Sequence, residues 1–289
     1  MSNSEPSWSE FLNSATLLNP LETVKFRFNL AQCAQFPRSA TWNDWIEQQS
    51  STALEGIEFR DQQDVDESLG YYEEIIYEHG FVPTRENSWH DLFNALIWLQ
   101  FPKTKRYLNE LHIRDIRVHG THPRTRRRNH ITHFDECGVV FAIPRKYLVA
   151  GNELLTHLAD HRWIESLYNE RHNWGKAVHA EVFGHANLEM MLNPYKGLTG
   201  KWLAVVVDDD FSSLTWQRQR ELLDDAMLSR IRELADFTLD NILKPIPLMG
   251  IPNWAANQNR EFYCDESCFR PRRDWTKPTV QLPLQCLHH

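Results

Sequence analysis

The chain carries none of the local signatures of nucleotide or serine-hydrolase chemistry. It has no Walker loop, no Gly-x-Gly-x-x-Gly turn and no Gly-x-Ser-x-Gly elbow. Long apolar runs are missing too. The longest, Trp202 to Val207, falls far short of the roughly 20 residues a membrane-spanning helix needs. The opening residues, Met-Ser-Asn-Ser-Glu-Pro, hold neither a basic region nor an apolar stretch, so no signal peptide is visible. Cysteine is sparse: five residues, at 33, 137, 264, 268 and 286, are an odd and scattered set. That usage suits a reducing compartment better than a disulfide framework. Excess positive charge is absent as well. A formal net charge of −8 disfavours a nucleic-acid-coating role, although it leaves a local basic groove open. The expectation is a cytoplasmic protein that does not enter a membrane. No internal repeat and no low-complexity segment is evident.

What is present is an ordinary globular composition, with 42% hydrophobic and 24% charged residues over 289 positions. Eleven tryptophans stand out, since partly buried indoles suit clefts and interfaces as well as cores. The length fits one large domain or two intimate ones. We expect a helix-rich α+β domain around a small, mostly antiparallel sheet, spanning 19–275. A loosely ordered segment with one short helix (1–18) should precede it, and a tail (276–289) should follow. Helices are expected at 41–48, capped by Thr41 or Asn43, at 88–101, 103–117, 152–158 and 184–192, and over a long amphipathic stretch, 214–243. Trp163 to Tyr168 reads as the start of another helix. Segment 56–69 reads as a loop, and 71–82 as a strand, a turn at His79-Gly80 and an extended piece, with a helix as the alternative for 71–78. Buried strands are expected at 138–143 and 202–207.

The most informative stretch is 88–101, apolar on nearly every side yet carrying His90, Asp91 and Asn94 in its first turns. A helix apolar all round is normally buried. Polar groups carried inside cost about 2–7 kcal/mol each unless something pairs with them. Ser88, followed three residues later by Asp91, resembles a capping box with Asp in place of Glu. Ser88 and Asn94 are therefore read as structural polar residues. Pro102 should end this helix and open the next.

Four stretches together resemble the bacterial family called domain of unknown function 3025. They are Asn87-Ser88-Trp89-His90-Asp91-Leu92-Phe93-Asn94-Ala95-Leu96 with Phe101-Pro102-Lys103-Thr104-Lys105; Asp135-Glu136-Cys137-Gly138-Val139-Val140; Phe183-Gly184-His185-Ala186-Asn187-Leu188-Glu189; and Gly250-Ile251-Pro252-Asn253-Trp254. The resemblance covers roughly residues 20–275. It implies no chemistry. It does imply that His90, Asp91, Asn94, Asp135, Glu136, His185 and Glu189 sit in the strongest motifs and that the cysteines fall outside them.

The candidate chemistry comes from helical and strand spacing. His185 and Glu189 form His-x-x-x-Glu on one helical face, which suits paired ligands for a divalent ion or an ordinary i,i+4 contact. Glu181 would extend that face if the helix began early. His90 and Asp91 at a helix start complete a metal-ligand set of His90, Asp91, His185 and Glu189. Asp135 and Glu136, expected just before a strand, are candidate catalytic carboxylates. Adjacent residues of an extended chain point to opposite sides, so only one of the two should face a given pocket. Arg124, Arg126, Arg127 and Arg128 form a basic loop that could bind an anion, or could be a solvated face. Cys264 and Cys268, with Cys286 and His288, imitate a zinc knuckle only loosely. Asp208-Asp209-Asp210 could hold Mg²⁺ but reads more simply as caps.

The leading functional expectation is a hydrolase using Zn²⁺, Mn²⁺ or Mg²⁺ on a small anionic substrate, phosphorylated ones included. The alternative is a non-catalytic protein whose motif residues form a buried hydrogen-bond network and which binds a protein partner. A weaker third reading is nucleic-acid binding through 124–128.

Overall fold

The structure, a computed structural model, describes residues 5–49, 51–274 and 277–285. Its architecture is α+β. A four-stranded sheet runs in the order β4-β3-β5-β6, with β3 and β5 parallel and both outer pairs antiparallel. These strands are β3 (Gly138–Pro144), β4 (His179–Val182), β5 (Thr199–Val207) and β6 (Lys244–Pro247). Every residue of β3 is buried. This central strand is an unbroken apolar run, as a strand covered on both faces should be. Val139 registers with Val182 on one side and Trp202 on the other.

Helices enclose the sheet. In chain order they are α1 (Trp8–Asn13), α2 (Asn19–Arg27), α3 (Ser39–Gln49), α4 (Tyr72–His79), α5 (Trp89–Gln100), α6 (Pro102–His119), α7 (Arg126–Cys137), α8 (Leu148–Ala159), α9 (His185–Met190), α10 (Trp216–Glu233) and α11 (Arg260–Tyr263). No helix among the described residues is long and apolar enough to cross a membrane. Helix α5 lies in the core as expected, and only His90 of its residues is less than buried. Ser88 caps it by accepting from Asp91 N at 3.2 Å. Pro102 opens α6. The short α1 is pinned to α5 through Phe11, which meets Trp89 edge-on at 4.9 Å, while Trp89 Nε1 donates to Pro6 O. Residues 277–285 are also anchored. Gln281, 1% exposed, accepts from Ala204 N and donates to the carbonyls of Trp202 and Ile242.

Several elements depart from the sequence reading, each for a local reason. Segment 56–69 is not all loop. It contains β1 (Glu58–Asp61), paired in parallel with β2 (Phe81–Thr84). Asn43 holds this strand in place. Instead of capping, its amide brackets the backbone of Phe59, accepting from the N–H at 2.8 Å and donating to the carbonyl at 2.9 Å. Residues 72–79 take the helical alternative, closed by Gly80 at φ +72°. The stretch 163–168 continues from Trp163 into a π-turn, Ile164–Asn169. Helix α10 stops at Glu233, ten residues short of the expected end, because Ala235, Asp236 and Phe237 adopt left-handed angles. The reversal brings fully buried Phe237 edge-on to Phe134. The basic stretch is not a loop beyond Thr125. Thr125 caps α7 by accepting from Arg128 N, and Arg128, Ile131 and Phe134 form its buried face at helical spacing.

Candidate functional site

Asp135 and Glu136 therefore lie on a helix, about 100° apart, rather than on opposite sides of a strand. Both can face one region, and they do. The turn that delivers His185 lies against the same helix end. Phe183 N and Gly184 N both donate to Gly138 O, at 3.0 and 2.8 Å. A Cβ on Gly184 would come within 2.3 Å of Gly138 N and 2.5 Å of Glu136 O. Only glycine permits that approach. It sets the start of α9 beside the end of α7, while α5 packs along α9. Three of the recognised motifs thus converge through backbone contact.

The convergence has specific geometry. His90 Nε2 and His185 Nε2 face each other at 3.0 Å, with the rings nearly perpendicular. Glu136 Oε2 lies 3.7 Å from His185 Nε2. His90 Nδ1 contacts Glu189 Oε2 at 2.7 Å. An ionised carboxylate only accepts, so His90 carries a proton on Nδ1, and in the neutral imidazole Nε2 presents a lone pair. His185 is 4% exposed, and its Nδ1 hydrogen-bonds to none of the described residues, the nearest carboxylate oxygen being Asp135 Oδ2 at 3.9 Å. Burial holds the His185 imidazole down to about 3, so it is neutral at pH 7. Burial and neighbouring Asp135 push the Glu136 carboxyl up.

A satisfied network supports this trio from behind. Lys105 Nζ donates to Asp135 Oδ1 at 2.5 Å and to Asn94 Oδ1 at 3.0 Å, and Asn94 Nδ2 donates to the Tyr72 hydroxyl at 3.1 Å. Burial raises the Asp135 carboxyl, but the Lys105 ammonium, through its charge and its hydrogen bond, leads the effects that outweigh burial and leave the acid lowered. Burial, with Asp135 adding, pushes the Tyr72 phenol up, so it remains neutral. In front lies a cleft of about 590 Å³, whose lining includes His90, Glu136 and His185 together with Glu73, His112 and Arg124.

The structure brings His90, Asn94, Asp135, Glu136, His185 and Glu189 together and sets other candidates apart. Asp91 is 7% exposed and lines the cleft. Its carboxylate, though, is held by Arg85, accepting from the backbone N–H at 2.6 Å and from the guanidinium at 2.9 and 3.0 Å. Glu189 steadies His90 from its far nitrogen instead of joining Glu136 at the Nε2 atoms. Glu181 is on β4, paired bidentately with Arg27. Of the four arginines, only Arg124 lines the cleft. Arg126 pairs with Asp240, Arg127 with Asp115, and fully buried Arg128 donates to the carbonyls of Gly120 and Thr121. Asp209 accepts from Lys146 N and Asp208 meets Arg145. Cys264 is exposed and unpaired, whereas Cys286 and His288 lie outside the described residues.

The family model described as "Protein of unknown function (DUF3025)" matches residues 57–273, three quarters of the chain. This chain belongs to that family. All four motif stretches fall inside the match. No curated protein and no solved structure matches the chain. Sequence reasoning missed Lys105, Tyr72 and Arg85. Lys105 had a visible signal. It closes the Phe101-Pro102-Lys103-Thr104-Lys105 motif, and a helix restarting at Pro102 folds its first turn back towards Asn94. Tyr72 and Arg85 had none, because their partners belong to other elements.

Proposed function

We propose that this protein is a divalent-metal-dependent hydrolase whose ion is held by His90 Nε2, His185 Nε2 and the Glu136 carboxylate. One observation carries the reading: two imidazole nitrogens 3.0 Å apart, with a carboxylate 3.7 Å from that of His185, all lining an open cleft. Tetrahedral bonds of 2.0–2.1 Å separate ligand atoms by about 3.3 Å, and the two distances bracket that value. The proton count points the same way. If His185, like His90, carries its proton on Nδ1, two lone pairs oppose each other. If it carries the proton on Nε2, its buried Nδ1 lone pair faces Asp135 with no donor. A divalent cation between the rings resolves both arrangements, as would a proton held between the two Nε2 atoms, and elemental analysis tells the two apart.

The protein residues then have distinct tasks. Glu189 fixes the tautomer and plane of His90, as outer carboxylates do for metal-bound histidines. Lys105 and Asn94 hold Asp135 beside His185. Two histidines and one carboxylate leave coordination positions open towards the cleft, where a bound ion supplies Lewis acidity to water and substrate. Arg124 on the cleft wall suits a substrate with an anionic group. The hydrogen-bonded chain Asp135–Lys105–Asn94–Tyr72 favours the alternative, a structural network with no catalysis.

Elemental analysis of protein purified without a metal-affinity step separates the two. The hydrolase reading expects close to one divalent ion per chain. It also expects chelator-sensitive turnover of nitrophenyl phosphate or nitrophenyl ester probes, lost in Glu136→Gln. Protein that binds neither Zn²⁺, Mn²⁺ nor Mg²⁺ stoichiometrically and gains no stability from them would sink it.

A further inference from the structure

The fourth motif, Gly250 to Trp254, takes no part in the His90–His185 site. It lines a separate cleft of about 290 Å³. Its loop is held rigidly. Buried Gln258 donates from Nε2 to the carbonyls of Met249 and Ile251, at 2.8 and 2.7 Å, and accepts at Oε1 from Asn253 N at 3.0 Å. Asn253 adopts φ +69°, and a Cβ on Gly250 would meet Phe269 Cε1 at 2.6 Å. This scaffold fixes Trp254 in the cleft wall, with Trp174 and Trp216 also lining it.

The charges in this cleft do not cancel. Arg27 and Glu181 neutralise each other through two hydrogen bonds of 2.6 and 3.0 Å. Burial keeps His179 neutral. Arg220 is different. Its Nη1 donates to Leu99 O and Gln49 Oε1, both at 2.8 Å, and no carboxylate among the described residues ion-pairs with it. The two acids nearest in sequence are engaged elsewhere, Glu221 by Arg218 and Asp224 by the start of α6. The Arg220 guanidinium lies over the Trp216 ring, 5.1 Å from its centroid. A half-buried guanidinium hydrogen-bonded only to neutral groups has no carboxylate in contact, the charges of Glu221 and Asp224 acting on it without an ion pair, and a planar fork beside indole rings recognises flat anions.

We propose that this cleft is a second ligand site that binds a small planar aromatic monocarboxylate, its ring against the tryptophans and its carboxylate on Arg220. One net cation matches one negative charge, and the volume admits a single substituted ring.

The test titrates the full chain with benzoate, benzamide and acetate while following tryptophan fluorescence. Benzoate should saturate the signal. Benzamide, which has the ring without the charge, should bind at least about tenfold more weakly, and acetate, the charge without the ring, should not saturate. Arg220→Gln should erase the preference for benzoate over benzamide. Arg220→Lys should keep it in reduced form, and Arg124→Gln, in the other cleft, should leave it intact. Equal binding of benzoate and benzamide, absence of saturation, a preference surviving Arg220→Gln, or one lost in Arg124→Gln overturns the proposal. If Arg220→Gln does not fold, Trp216→Leu decides: weaker benzoate binding supports the site and unchanged binding refutes it.

Discussion

Two polar clusters, one at the start of α6 and one at the start of α5, each hold a buried side chain, and they differ in completeness. At the start of α6, Asp224 is 2% exposed and fully engaged: Oδ2 accepts from Lys103 N at 2.9 Å, Oδ1 from Thr104 N at 2.8 Å, and the Thr104 hydroxyl returns a bond to the Asp224 carbonyl. The acid replaces a local cap with one from a helix more than a hundred residues away, satisfying amides that would otherwise be orphaned. Nothing further is needed to explain it. At the start of α5, His90, His185 and Glu136 converge with the buried Nδ1 of His185 unpartnered and a cleft in front. A buried titratable side chain is common to both, Asp224 in the first and His185 in the second. A missing partner is peculiar to the second, and that separates a polar group kept for architecture from one kept for a ligand.

The largest expected effect breaks the second cluster through its backbone. Gly184→Ala places a methyl 2.3 Å from Gly138 N, so α9 must move away from α7. Overpacking usually costs 1–3 kcal/mol. Here the obstructing atoms are backbone, which cannot rotate aside, so about 4 kcal/mol is expected in urea unfolding. Metal-dependent stabilisation should vanish with it, since His185 would no longer stand beside Glu136. A Gly184→Ala protein that melts like the wild type would show that the tight turn does not set the site.

How far the sequence foretold these clusters depends on the range of the interaction. Helix α5, its Ser88 cap, the Pro102 restart and the strands β3 and β5 were readable because each rests on local periodicity or capping. The site was half readable. His90, His185 and the Asp135-Glu136 pair were singled out, but α7 was taken for a loop and strand entrance, which wrongly allowed only one of those acids into the pocket. Its true signal was Thr125 followed by Arg128, Ile131 and Phe134, obscured because the first member of the buried face is an arginine. Pairings such as Asp91 with Arg85, Asn43 with Phe59 and Asp224 with α6 leave no trace in spacing. They are fixed by tertiary packing, and so is the early stop of α10, where Phe237 turns back onto Phe134.

A mid-sized effect sharpens the closed cluster. Burial pushes Asp224 up to about 6, against the hydrogen bonds from Thr104 and Lys103 that pull it down. A folded-state value above the ordinary 3.8 means the native protein holds that proton more tightly than the unfolded chain does. The contribution is then fully present below about pH 4 and is lost as pH rises through about 6. The whole shift corresponds to up to about 3 kcal/mol. Subtracting the pH–stability curve of Asp224→Asn from that of the wild type should isolate a fall of this sign between pH 4 and 6, with metal binding untouched. A flat difference curve would mean that the α6 amides stabilise the carboxylate fully, making the cluster even more closed than described.

The smallest effect is the most discriminating. Glu189 touches the proposed ion's ligand His90 rather than the place where the ion would sit, and its side chain is 28% exposed. Glu189→Gln keeps the size and an acceptor oxygen while removing the charge, so folding should change by only a few tenths of a kcal/mol. If the pair exists to orient and enrich the His90 lone pair, affinity for Zn²⁺ by calorimetry should still fall about tenfold, in line with the loss of other outer carboxylates. If the contact is only an ion pair across two helices, melting temperature and metal affinity should move together or not at all. A loss of affinity without a loss of stability is the one result that an architectural network cannot produce, because such a network acts only through the fold it holds.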